Sequence, residues 1–344
     1  MHNLRFLRIY GRYISALQIS QDMEYLPRLK LLQWNSYPRK SLPPTFQLER
    51  LVELHMPMSN LERLWEGIKP LPNLKDINLG YSKNLIEIPD LSKATNLETL
   101  TLTSCTSLVE LPSSIKNLHK LKKLLMMGCE KLQAVPTNIN LASLEEVNMS
   151  DCLRLRSFPD ISISIKDLDI ENTKMEVHPS VVDCLPLLEW LRIGGRDLKR
   201  LTHVPESVTH LDLSNSVIER LPYCIIGLPR LESLFVYRCR QLVSLLGLPT
   251  SLKYINANDC GSLERVSFSF SDSMRELEFQ NCLKLDGESR RVIMQQMVYD
   301  TVCLPGEEVP SEFTHKGSGN SVTIPMALDG NGNGYFSEAS RLRF

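Results

Sequence analysis

Nine cysteines and seven histidines are the residues of this 344-residue chain best suited to metal or redox chemistry. Such sites need ligands at short spacings, and the chain has no C-x-x-C pair. His203 and His210 lie near Asp212, but no Cys or carboxylate spacing completes a metal site there. Most of the cysteines instead recur at one position of a longer pattern: Cys105, Cys129, Cys152, Cys239, Cys260 and Cys282. This placement predicts buried free thiols in a reducing compartment.

Catalytic and nucleotide-binding motifs are also missing from the sequence. No Ser or Cys stands in a nucleophile-elbow context, and no G-x-x-x-x-G-K-[ST] phosphate loop is present. The run from Gly330 to Gly334 favours a turn, since no strand-glycine-helix context surrounds it. The sequon at Asn148 stands alone and is interpreted as a chance match. We therefore expect a protein that is not an enzyme and has no cofactor or metal ion.

The composition narrows the classes of partner and the location. A formal net charge of -1 at pH 7 gives no basic excess for binding nucleic acid. No apolar run approaches the roughly 18 residues of a membrane span, and the first residues lack the apolar core of a signal peptide. A cytoplasmic or nuclear location and a protein ligand are expected.

A repeat organises nearly the whole chain. The pattern L-x-x-L-x-L-x-x-C/N/S/T-x-(x)-L-x-x-L-P recurs at intervals of 20 to 25 residues, which is typical of leucine-rich repeats. Residues are numbered below by repeat position, counting the first residue of the pattern as position 1. Thirteen repeats begin at Leu4, Leu29, Leu51, Leu74, Leu97, Leu121, Leu144, Ile165, Leu188, Val208, Leu231, Leu252 and Met274.

The repeat pattern predicts an α/β solenoid. The apolar residues at positions 4 and 6 share one face of a short strand, and stacked strands form a parallel sheet. The small residue at position 9, which is Thr173 in one repeat and Cys in several others, fills the turn after the strand and can satisfy buried backbone groups. Leu-Pro pairs such as Leu111-Pro112 then begin the return. The predicted fold is a leucine-rich-repeat horseshoe with a parallel concave β-sheet, a C-terminal capping helix and a partial β-domain.

We predict three regions: a repeat array over 1–285, a capping helix over 286–300, and an incomplete post-repeat β-domain over 301–344. Two places depart from the repeat. His178 occupies an apolar position and is interpreted as a partly exposed histidine, and 196–205 is expected to form a bulge or longer loop. Because the first repeat starts almost at Met1, we interpret the chain as a piece of a longer protein.

Three segments together resemble the leucine-rich-repeat region of plant intracellular immune receptors of the Toll/interleukin-1-receptor-type, nucleotide-binding class. Leu29-Lys-Leu-Leu-Gln-Trp34 with Tyr37-Pro38 is similar to an early repeat of that family. The next repeat matches at Leu51-Val-Glu-Leu-His-Met56 and Leu61-Glu-Arg-Leu-Trp65. Asn281-Cys-Leu-Lys-Leu-Asp286 followed by Leu304-Pro-Gly-Glu-Glu-Val-Pro310 resembles the junction into its post-repeat jelly-roll and immunoglobulin-like domain.

The resemblance implies recognition of a pathogen effector or a guarded host protein through the repeats and the following segment. It implies that the family's NAD-cleaving and nucleotide-binding domains lie outside this chain. An alternative function is an intramolecular scaffold that restrains those sibling receptor domains.

The candidate binding residues lie between the inward apolar positions and project from the concave face. One group is an apolar spot beside an acidic one: Leu125, Met127, Asp167, Asp169 and Glu171. The other is aromatic and polar: Trp190, Arg192, His210, Asp212, Phe235, Tyr237 and Tyr254. We expect the exposed aromatic residues to form a binding hot spot, because large amphipathic side chains suit interface cores. The alternative is that strand propensity placed them there, or that loops cover them.

Overall fold

A computed structural model of the protein describes residues 3–10, 26–136, 141–156, 162–174, 185–267, 275–295 and 301–304. The chain forms two compact units. The first comprises Met1–Asp197 with His203–Val208, and the second comprises Leu198–Thr202 with Thr209–Phe344.

The first unit contains a sheet of short parallel strands in which each strand pairs with the next along the chain. A 3-10 helix over Ser113–Asn117 lies in one of the returns. The strands are β1 (Phe6–Ile9), β2 (Leu31–Trp34), β3 (Glu53–His55), β4 (Asp76–Asn78), β5 (Thr99–Thr101), β6 (Lys123–Leu125), β7 (Glu146–Asn148), β8 (Asp167–Asp169) and β9 (Trp190–Arg192).

The second unit follows the same plan. Parallel pairing links β10 (His210–Asp212), β11 (Ser233–Phe235), β13 (Tyr254–Asn256), β15 (Glu276–Glu278) and β16 (Thr301–Cys303) in that order. A two-stranded sheet joins β12 (Ser244–Leu245) to β14 (Arg265–Val266) in the returns. The helices are α1 (Tyr223–Ile226) and α2 (Gly287–Gln295).

Each of the thirteen repeat starts predicted from the sequence is followed two residues later by a strand. The leucine-rich-repeat solenoid with a parallel sheet is therefore confirmed. The core is built from the repeat leucines: Leu97, Leu100, Leu102 and Leu108 of one repeat are all fully buried. Burying a leucine side chain contributes about 1.5–3 kcal/mol, and the same positions are filled by apolar residues in successive repeats.

The side chain at position 9 of several repeats forms a hydrogen bond to the preceding repeat. The Cys105 thiol donates a hydrogen bond to the carbonyl of Leu79, at position 6 of the preceding repeat, with a sulfur–oxygen distance of 3.4 Å. The same contact recurs at 3.0–3.3 Å for Cys129, Cys152, Cys239, Cys260 and Cys282. All six thiols are buried and free of disulfides, as the sequence predicted.

The residue just before position 9 has a left-handed backbone. Its φ lies between 54° and 63° in ten non-glycine cases, and Gly128 and Gly195 occupy the position in two other repeats. A left-handed residue other than glycine costs about 1–2 kcal/mol, except that Asn and Asp tolerate the conformation better. The ten residues are Ser36, Met58, Tyr81, Ser104, Asp151, Asn172, Asn215, Arg238, Asp259 and Asn281.

The helix α2 lies inside the segment for which a capping helix is predicted. Its Ser289 hydroxyl accepts a hydrogen bond from the Val266 amide of β14 at 2.9 Å, and its Ile293 side chain is fully buried. Before it, the Asp286 carboxylate accepts a hydrogen bond from the Ser289 amide at 2.7 Å, which is an N-terminal cap. The helix α2 therefore packs against the return that contains β14.

The strand β16 lies where the sequence analysis places a separate β-domain, yet it pairs with β15 and extends the repeat sheet. Residues 305–344, the run at Gly330, His178 and the repeat start at Met274 lie outside the described residues. The division into array, capping helix and post-repeat domain stays a prediction.

The segment 196–205, which was expected to form a bulge or longer loop, contains neither a helix nor a strand. The Leu198 carbonyl within it accepts a hydrogen bond from the Val217 amide at 3.2 Å.

Burial predicts low reactivity for the thiols of the first unit. It raises the pKa of Cys105, Cys129 and Cys152 to about 12. Because the thiolate is the nucleophile, iodoacetamide at about pH 8 should leave these three cysteines unmodified in the folded protein and modify them in urea. The half-buried Cys224 is the internal comparison. Mass spectrometry that finds the three modified as fast as Cys224 in the folded state would contradict this prediction.

The turn at Gly195 has no room for a side chain. Its φ is 117°, and a Cβ atom there would lie 2.5 Å from Oδ1 and 2.9 Å from the backbone nitrogen of Asn172. We expect Gly195→Ala to lower the free energy of unfolding in urea by about 2 kcal/mol. Gly261→Ala is the matched control, since nothing lies within 4 Å of its Cβ position. Equal stability of the two variants would show that the turn tolerates a side chain.

Candidate functional site

The outer sheet face is defined here as the residues at positions 3, 5 and 7 of each repeat, which alternate with the buried positions 4 and 6. It is the face that the sequence analysis expects to be concave. In β5, for example, Thr99 and Thr101 are half-buried while Leu100 between them is fully buried. Candidate binding residues of both units lie on this face.

The apolar spot predicted in the first unit is present at the end of β6. The Met127 side chain is 37% exposed, and Leu125 on the same repeat is half-buried. Lys123, at position 3 of this repeat, forms an ion pair with Glu146 of β7 at 2.5 Å. The pKa of the Lys123 ammonium is raised by its contact with this carboxylate. The apolar spot therefore has a neutralised charge pair beside it.

The acidic spot next to it differs from the expectation, because the carboxylates of Asp167 and Asp169 are engaged within the protein. Asp167 forms a 2.6 Å ion pair with Arg192 of the next strand. Asp169 is buried, with an exposed fraction of 9%, and accepts hydrogen bonds from the Asn148 side-chain amide at 3.1 Å and the Glu171 backbone amide at 3.1 Å. The sequence pattern places all three acids outward, but the carboxylate of Asp169 serves the turn that follows its strand.

Trp190 and Arg192 form a single structural unit on β9. The Arg192 guanidinium lies 4.6 Å from the centroid of the Trp190 ring while it also pairs with Asp167. A guanidinium held over an indole face by a carboxylate has lost much of its rotamer freedom. The positions of these two side chains are thus fixed by contacts within the protein.

Two aromatic residues of the second unit pack against each other, and a third packs against an arginine. The rings of Phe235 and Tyr254 are 5.1 Å apart between centroids at an interplanar angle of 47°. Tyr237 lies under the Arg238 guanidinium, 4.8 Å from the ring centroid, and Arg238 pairs with Asp259 at 3.5 Å. The three rings were expected to be exposed. They are half-buried, since each covers part of a neighbour.

A hydrogen-bonded network lies beside these rings. One oxygen of the Glu278 carboxylate accepts hydrogen bonds from the side-chain amides of Asn256 at 2.7 Å and Asn258 at 2.8 Å. Burial raises the pKa of Tyr254 to about 12, and the negative charges of Glu278 and Glu276 act in the same direction. The carboxylates are therefore close enough to influence the ring.

His210 and Asp212 are fixed by local contacts. The Nδ1 atom of His210 is 2.8 Å from the Thr209 hydroxyl, and the Asp212 carboxylate accepts a hydrogen bond from the Ser214 amide at 2.8 Å.

The predicted binding residues divide between the two units. Leu125, Met127, Asp167, Asp169, Glu171, Trp190 and Arg192 belong to the first unit, and His210, Asp212, Phe235, Tyr237 and Tyr254 belong to the second.

One pair that the sequence analysis missed is His55 with Asp76. The His55 Nε2 atom lies 3.4 Å from the Asp76 carboxylate on the neighbouring strand, a distance suited to an ion pair more than to a strong hydrogen bond. The Asp76 carboxylate raises the pKa of His55 against the opposing effect of burial. The repeat register could have predicted this pair, because position 5 of one repeat neighbours position 3 of the next.

Among the described residues, no group of three or more His, Cys, Asp or Glu side chains is arranged to hold a metal ion. None of the described helices has the length and apolar character needed to cross a membrane.

Comparison with known proteins adds an evolutionary relationship. A family model described as Leucine Rich Repeat matches residues 50–69. The chain is 49% identical to Arabidopsis thaliana Disease resistance protein RML1A over 329 residues, covering 94% of this chain and 33% of that protein. It is 45% identical to Disease resistance protein RML1B, covering 94% and 32%. The chain is a homologue of Arabidopsis disease resistance proteins. It spans about a third of the length of these relatives.

Among solved structures, the leucine-rich-repeat domain of APL1B is similar, with a TM-score of 0.44 and 16% identity, covering 80% of this chain and 87% of that one. A Leptospira interrogans leucine-rich-repeat protein has a TM-score of 0.42 and 16% identity, covering 88% and 96%.

The His55–Asp76 pair predicts a pH dependence that NMR can measure. Because the folded-state pKa of His55 is raised above 6.5, the pair's contribution to stability is complete below about pH 6.5 and is lost as pH rises through the raised pKa. In Asp76→Asn we expect the His55 pKa to fall and this dependence of the unfolding free energy to diminish. A histidine titration that is the same in the variant and the parent protein would contradict the assignment.

Proposed function

We propose that this chain is the protein-recognition region of a plant intracellular immune receptor. It binds a pathogen effector or a guarded host protein through the outer sheet face and the C-terminal segment, in the cytoplasm or nucleus. The observation that carries the proposal is the pair of preorganised aromatic groups on this face, Trp190 with Arg192 and Phe235 with Tyr254. Homology to disease resistance proteins supports the immune role.

The energetic argument rests on the side chains themselves. Hot spots in protein interfaces are enriched in Trp, Tyr and Arg whose positions are already held by neighbours. Trp190 and Arg192 meet this description, because the guanidinium is held by Asp167 and lies against the indole. Little conformational entropy remains to be lost on binding. The NAD-cleaving and nucleotide-binding domains that the family resemblance implies lie, in this proposal, outside this chain.

The decisive experiment compares three versions of the chain in plant cells. Partners are recovered by co-immunoprecipitation, identified by mass spectrometry, and their affinity is then measured by calorimetry. Trp190→Ala combined with Tyr237→Ala should weaken binding of the true partner by about 2 kcal/mol or more, which is about thirty-fold. The control is Tyr223→Ala, since Tyr223 is 90% exposed on α1 and lies outside the outer sheet face.

The same variants separate recognition from the scaffold alternative. Each is also placed in a full-length receptor, and signalling without effector is recorded. A partner lost only from the double variant supports recognition. Unchanged partners together with spontaneous signalling would instead make the face a restraint on sibling domains and would overturn the proposal. Circular dichroism establishes that each variant is folded.

A further inference from the structure

The outer sheet face of the second unit combines aromatic residues with acidic ones. Over β10, β11, β13 and β15 it carries three aromatic residues and three carboxylates, with no Lys or Arg at any position. The twelve residues are His210, Asp212, Ser214, Ser233, Phe235, Tyr237, Tyr254, Asn256, Asn258, Glu276, Glu278 and Gln280. At neutral pH this face is therefore aromatic and negatively charged.

Two basic residues near this face pair with carboxylates outside it. Arg238 lies at the border, where it pairs with Asp259 and covers the Tyr237 ring. Lys253 precedes β13 and forms an ion pair with Glu232 at 2.7 Å. Both of these ion pairs involve carboxylates outside the twelve positions, and neither involves a carboxylate of the face.

The Glu278 carboxylate is held in place by neutral groups. Two side-chain amides donate to the same oxygen, Oε2, and the Tyr254 hydroxyl also interacts with this carboxylate. Amide donors orient a carboxylate without cancelling its charge. The Asn256 amide also lies 3.3 Å from the Tyr254 hydroxyl, which connects the carboxylate to the aromatic pair. The result is a fixed negative charge beside the half-buried rings of Phe235 and Tyr254.

We propose that this patch, formed by Asp212, Phe235, Tyr237, Tyr254, Glu276 and Glu278, binds an arginine or lysine side chain on a basic segment of a partner protein. The inference rests on the proposed recognition function and specifies the chemistry of the ligand. Aromatic faces attract cations, and neighbouring carboxylates add Coulomb attraction that is stronger at a partly buried site than in bulk water. Complementary charge also favours this partner over acidic ones.

The test begins with random peptides displayed on phage and selected on the full-length chain of 344 residues. Selected peptides are then screened against Phe235→Ala combined with Tyr254→Ala. Those that lose binding to this variant should be enriched in Arg or Lys. One such peptide is synthesised with its Arg or Lys replaced by Gln, and both peptides are titrated by calorimetry. We expect about ten-fold weaker binding for the neutral peptide.

A second variant keeps the rings and removes only charge. Glu276→Gln combined with Glu278→Gln should weaken binding of the basic peptide by about ten-fold and leave its Gln counterpart unaffected. Glu53→Gln is the matched control, because Glu53 occupies position 3 on β3 of the first unit, as Glu276 does on β15.

The outcomes distinguish this inference from the proposed function. Peptides that depend on Phe235 and Tyr254 but are neutral or acidic would overturn the cationic ligand while supporting recognition by this face. A selection that yields no peptide dependent on the two rings would also overturn the inference. The proposed function fails separately, if the partner recovered from plant cells binds the Trp190 and Tyr237 double variant as well as the parent chain.

Discussion

The buried backbone groups of each repeat of this protein must find hydrogen-bond partners in the neighbouring repeat. The short strands satisfy part of this requirement by parallel pairing, and the thiol or hydroxyl at position 9 continues it into the turn, where it reaches a carbonyl of the preceding repeat. A single repeat could neither bury its leucines nor satisfy these groups. Stability in such arrays is therefore a sum of nearest-neighbour terms.

This constraint decides which side chains are available for binding. Positions 4 and 6 are committed to the core, so recognition is left to positions 3, 5 and 7. Some side chains at these positions also form contacts within the protein. The Asp169 carboxylate, for example, accepts a hydrogen bond from the Glu171 backbone amide in the turn after its strand. The available surface is consequently smaller and better ordered than a list of outward residues suggests, and its aromatic groups are held by their neighbours.

The two units use their outer sheet faces differently. On β6 to β9 the two basic residues of the face are paired, Lys123 with Glu146 and Arg192 with Asp167. On β10 to β15 the Asp212 carboxylate accepts from a backbone amide and the Glu278 carboxylate from side-chain amides, so negative charge lies next to the aromatic pair. A surface with two internal ion pairs and one with a carboxylate held by amides beside an aromatic pair suit different features of a protein ligand, which is consistent with the proposed role in recognition.

The sequence by itself determined the solenoid, the thirteen strand positions and the burial of six cysteines, because the leucine period encodes which face of each strand is apolar. It also identified the aromatic residues of the outer face. Only the tertiary structure decided the pairing of Asp167 with Arg192, the burial of Asp169 and the contact of His55 with Asp76. These depend on side chains about a repeat apart in sequence that meet only once the strands are stacked. The left-handed turns at Met58, Tyr81 and Arg238 also lacked a local signal, since the stacked backbone imposes a conformation that these residues disfavour.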